Sequence, residues 1–73
     1  MNAVCIHIDE ELNLGKIGSL KEELMHMPFI NNVELNTKMP HDMMVEFDAH
    51  HNMPMMILTR LSRRGLHSDI MAC

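Results

Sequence analysis

The stretch IGSLKEELMHMPFINNVEL, residues 17–35, sets the architecture. Ile17, Leu20, Leu24 and Met27 are spaced three, four and three apart, which places them on one face of a helix. Pro28 closes the pattern, because its ring disfavours helical backbone in the residue before it. Ile30, Val33 and Leu35 then lead into a strand. Upstream, Asn13 is a natural cap for the helix, predicted over 14–27. Further back, Val4, Ile6 and Ile8 alternate with Cys5 and His7, the period of a half-buried strand that turns Cys5 and His7 away from the core.

Downstream, residues 36–41 carry the composition of a turn. Met43, Val45 and Phe47 alternate with Met44, Glu46 and Asp48 in a third strand. After a polar loop, Pro54 suits the first turn of a second helix, predicted over 54–64. Ile57, Leu58 and Leu61 form its inner face, and at least one of Met55 and Met56 is expected beneath it. Arg60, Arg63 and Arg64 fall in its last turns, facing the negative end of the helix dipole, and Gly65 stops it. Ser68, Ile70 and Ala72 alternate in a last strand. The order strand–helix–strand–strand–helix–strand predicts an α+β, ferredoxin-like βαββαβ fold: a four-stranded antiparallel sheet with two helices on one face. It reads as a single domain over 1–73. Its expected core holds Ile6, Leu20, Leu24, Val33, Val45, Phe47, Ile57, Leu61 and Ile70.

Size and composition narrow the function. A chain of 73 residues has no room for a deep cleft between two lobes. A net charge of -4, with six Lys plus Arg, argues against nucleic acid and anionic membrane as partners. No apolar run approaches the roughly 20 residues of a membrane span, and the N-terminus lacks the basic-then-apolar order of a secretory signal. With only two cysteines, Cys5 and Cys73, the chain is not a multiply stapled scaffold, which points to a reducing, cytoplasmic setting. Ten Met and six His supply many soft or borderline metal ligands, whereas two Phe and no Tyr or Trp leave little for base stacking.

Three stretches resemble the heavy-metal-associated (HMA) family, the fold of copper chaperones and metal-pump N-terminal domains. Leu20-x3-Leu24-x2-Met27-Pro28-Phe29-Ile30-x2-Val33 is similar to its first helix and second strand, with Phe29 where the family usually has Gly. Val45-x-Phe47-Asp48 is similar to its third strand, and Ile57-x3-Leu61-x3-Gly65-Leu66-x-Ser68 to its second helix and final strand. The resemblance implies a small metal-handling domain, with a metal-transport protein as partner. The family's Cys-x-x-Cys falls on Asn13-Leu14-Gly15-Lys16, and neither end is Cys. Asn is a hard neutral ligand and Lys a cation, so neither replaces a thiolate for a soft ion.

Any metal site must therefore be elsewhere. The first candidate is His50, His51, His26 and Met53, with Met27 nearby. In this fold the end of the first helix and the loop after the third strand meet at one end of the domain, and imidazole with thioether suits copper or zinc ion. The second is the open face of the sheet: Cys5, His7 and Cys73, joined by Met44, Glu46, His67 and Met71. There a soft ion, a disulfide, or self-association through the sheet face are the alternatives. Met39 and Met53 stand out as methionines not needed for the core. Cys5 with His7 lacks an oxyanion hole and a cleft, so no enzyme is expected. A metal-free interaction or dimerisation module on the same fold is the alternative function.

Overall fold

The computed structural model describes residues 2–35, 38–49 and 52–72. Its elements run β1 (Asn2–Ile8), α1 (Leu14–Met25), β2 (Ile30–Glu34), β3 (Asp42–Phe47), α2 (Met53–Arg63) and β4 (Ser68–Met71). The four strands form one antiparallel sheet in the order β2-β3-β1-β4. The α+β ferredoxin-like architecture is as expected.

Alternation on the strands decides which side is covered. Val4, Ile6 and Ile8 of β1 and Met43, Val45 and Phe47 of β3 point to the helices and are buried with Leu20, Leu24, Ile57 and Leu61. Ile30 and Val33 are three residues apart, an odd spacing for one strand face. A bulge resolves it: Ile30 pairs with Phe47, Asn32 with Glu46 and Val33 with Val45, so Asn31 is the extra residue and both apolar side chains reach the core.

Both helices differ from expectation at their ends. α1 stops at Met25, with His26 as its C-cap. Met27 lies beyond the helix yet is buried, because the chain turns back over the core there. α2 begins at Met53 rather than Pro54, with Pro54 in the first turn. Met53 has no exposed surface, whereas Met55 is 60% and Met56 39% exposed. The buried methionine under α2 is therefore Met53, one turn before Ile57. Ile70 is the other correction. It pairs with Ile6 and shares its face, but β4 is an edge strand of four residues and leaves Ile70 46% exposed. Among the described residues no helix is long and apolar enough to cross a membrane.

Candidate functional site

Two sets of connections gather at opposite ends of the sheet. At the first end, the β1–α1 loop meets the turns before β3 and β4. Ile8 N–H donates to the His41 carbonyl (2.8 Å) and Asp9 N–H to the His67 carbonyl (2.8 Å). Asn13 caps α1 as its residue type suggests, accepting the Lys16 N–H at 2.9 Å. This is the loop where the HMA resemblance places a metal-binding pair. The Asn13 oxygen is already used by the helix, and no thiolate is there, so the residues present do not fit that ion.

The rest of this end is also satisfied internally. Glu10 accepts the His67 backbone N–H at 2.7 Å and pairs with His67 Nδ1 at 2.6 Å. The hydrogen bond to His67 holds the Glu10 carboxyl below its ordinary range, and the same bond raises His67. His7 Nε2 lies 3.2 Å from Asp9, and its ring stacks on His41 with centroids 5.8 Å apart. His41 in turn donates from Nδ1 to the Ile8 carbonyl at 2.8 Å. His41 was not foreseen from the sequence. Its role comes from the β1–β3 register, which sets His7 opposite Asp42, the residue after His41.

At the second end, the α1–β2 connection meets the one that follows β3. Asp48 N–H donates to the Phe29 carbonyl (2.8 Å), and Asn31 donates to the Asp48 carboxylate (3.0 Å). Met27, Asn52, Met55 and Met56 line one open depression there. Both described non-glycine residues with positive φ lie at this end, Phe29 at 71° and Asn52 at 63°. The left-handed backbone at Phe29 is one a glycine would adopt freely, so a side chain there is held at a conformational cost. His26 is exposed, and its Nδ1 donates to the Glu22 carbonyl at 2.7 Å. That bond fixes the proton on Nδ1, so in the neutral ring Nε2 carries the lone pair. The last turn of α1 itself holds no basic residue, though Arg60 and Arg64 reach Glu23 there from the end of α2.

The candidate ligands thus divide. His26 presents a nitrogen. Met53 is enclosed in the core and supplies packing instead. His50 and His51 lie outside the described residues, as does Cys73. On the open face, Cys5 is buried between Met44 and Met71, its partners in the register, and is disulfide-bonded. A disulfide sulfur is not a thiolate ligand, and such bonds persist in oxidising surroundings. His67, expected on that face, sits before β4 and is bound to Glu10. Among the described residues no group of three His, Cys, Asp or Glu side chains is arranged to hold a metal ion.

The fold has clear counterparts. The oxidised MerP from Ralstonia metallidurans CH34 superposes with a TM-score of 0.82 at 11% identity, covering 97% of this chain and 97% of that one. The N-terminal domain of PacS from Synechocystis PCC6803 gives 0.80 at 12% identity, over 99% and 100% of the chains. A copper binding domain from HMA7, a P-type ATPase, gives 0.80 at 15% identity, over 99% and 96%. This is the HMA-domain fold. No family profile and no curated protein sequence matches the chain.

Proposed function

We propose that this chain is a metal-associated domain that holds a copper or zinc ion at the second end, through His26 with His50 and His51, and not through the β1–α1 loop. The observation that carries the reading is His26. Its Nδ1–H···O=C bond is the arrangement that commonly orients a ligating imidazole, and it stands at a helix C-terminus, where the macrodipole favours a cation. The backbone strain at Phe29 and Asn52 favours the same end, since strained residues cluster where function requires a fixed geometry. The fold likeness to a copper binding domain of a P-type ATPase supports metal handling and a metal-transport protein as partner. The role is binding rather than catalysis.

Native mass spectrometry with Cu(I) and with Zn(II) tests this. The protein should take up one ion, and the triple substitution His26→Ala, His50→Ala, His51→Ala should lose it with the fold intact. Uptake that survives the triple substitution and disappears in Cys5→Ser with Cys73→Ser, under reducing conditions, would move the site to the Cys5/His7/Cys73 alternative. No uptake by the unmodified protein would leave the metal-free interaction module as the function.

A further inference from the structure

The two broad surfaces of the domain carry opposite charge around apolar centres. The strands hold no Lys or Arg among the described residues, and all four of their carboxylates fall on the open side. The register shows this. Glu34, Met44, Cys5 and Met71 form one row across the sheet, Asp42, His7 and Asp69 the next, and Glu46 pairs with Ala3 on the other flank. Met44 and Met71, both half-buried, line an open depression of about 400 Å³ that Glu34 and Asp42 border. The centre of this face is thioether, and its rim is acidic.

The helical side is the counterpart. The depression already described at the second end extends along α2, where the exposed Met55 and Met56 stand beside Arg60 and Arg63. Among the described residues its lining includes no carboxylate. Glu23, the nearby acid of α1, is already paired with Arg60 and Arg64. The Arg60 pair is 3.6 Å long and partly solvated, so it is readily exchanged.

We propose that a second copy of this chain docks its α2 face onto the open face of the sheet, head to tail. Methionine meets methionine at the centre, an adaptable apolar contact, while Arg60 and Arg63 meet the carboxylate rim. Pairing two open sheet faces would set acid against acid, so charge disfavours the symmetric dimer. The two docking faces are on opposite sides of the domain, so each added copy leaves both types of face available at the ends. Such contacts build open assemblies rather than a closed pair.

Analytical ultracentrifugation of the full chain tests this, using one variant for each face. Met44→Glu disables the sheet face, and Met55→Glu with Arg63→Glu disables the helix face. The unmodified protein should give species larger than a dimer as concentration rises, reverting to monomer in about 1 M salt, where the Debye length falls to roughly 3 Å. Each variant alone should be monomeric. Their equimolar mixture should form a heterodimer and stop there, because only one complementary pair of faces remains. Glu34→Lys with Asp69→Lys reverses the rim at two exposed positions and should behave as Met44→Glu does, which guards against a folding defect in the latter. A monomer at every concentration would overturn the proposal. So would a dimer that survives in the helix-face variant alone, since that is sheet against sheet.

Discussion

The two ends of the sheet handle their polar groups in opposite ways. At the first, Asn13 caps α1, Glu10 holds His67, and His41 holds the Ile8 carbonyl, so these three side chains are engaged within the domain. At the second, Asn52 begins α2 in left-handed backbone with no side-chain cap, Phe29 is also left-handed, and His26 directs a ring nitrogen outward. The end where the resemblance places a metal-binding pair is tied up by its own hydrogen bonds here, and left-handed backbone and an exposed imidazole stand at the other. Function is carried by the side chains present, not by the position a fold makes customary.

The largest expected effect separates packing from ligation at the second end. Met53→Ala should cost about 2–5 kcal/mol in chemical denaturation, since the side chain has no exposed surface. Met53→Leu conserves volume and should cost less than about 1.5 kcal/mol, leaving metal uptake unchanged. Loss of uptake in Met53→Leu would return the thioether to the ligand set.

Next come the helix starts. Asn13→Ala removes the acceptor for Lys16 N–H and should cost about 1 kcal/mol. Asn52 makes no side-chain cap, so Asn52→Gly should leave stability unchanged or raise it slightly, because glycine adopts that φ freely. Equal losses at the two positions would erase the contrast between the ends. The strain at Phe29 is read from a pair of variants: Phe29→Gly should be more stable than Phe29→Ala by about 1 kcal/mol, as both lack the ring and only Ala is strained at φ 71°.

The smallest effect concerns pH at the first end. Glu10 is lowered from 4.5, so its contribution is present above that value and is lost as pH falls through the lowered one. His67 is raised from 6.5, so its contribution is full below 6.5 and is lost as pH rises through the raised value. The pair therefore adds most between about 4.5 and 6.5. Thermal midpoints across pH 4 to 8 should show this rise in the unmodified protein and not in Glu10→Gln.

Much of the fold was legible because its signals are local. The 3–4–3 spacing of Ile17 to Met27, the alternation in β1 and β3, and Asn13 before α1 each act over a few residues. The misreadings needed context. Ile70 has the right period but lies on an edge strand, and period cannot report depth. Met53 looked spare because Pro54 marked the helix start, yet the helix begins one residue earlier and buries it. Cys5 lies on the open face as its alternation requires and is disulfide-bonded, one of the alternatives open to it, but alternation gives the face and not the depth, and Cys5 is buried there. At the candidate site, the exposed position of His26 followed from its place at the end of α1. Its bond to Glu22 depends on where the helix stops, and Pro28 alone did not fix that to the residue.

The most direct test of a metal site at the second end is amide chemical-shift mapping during titration with Cu(I), repeated with Zn(II). The account predicts that the first stoichiometric shifts fall on residues 24–29 and 48–54, and that residues 9–16 stay in place until those are saturated. Early shifts at 9–16, with His26 and its neighbours unmoved, would contradict it.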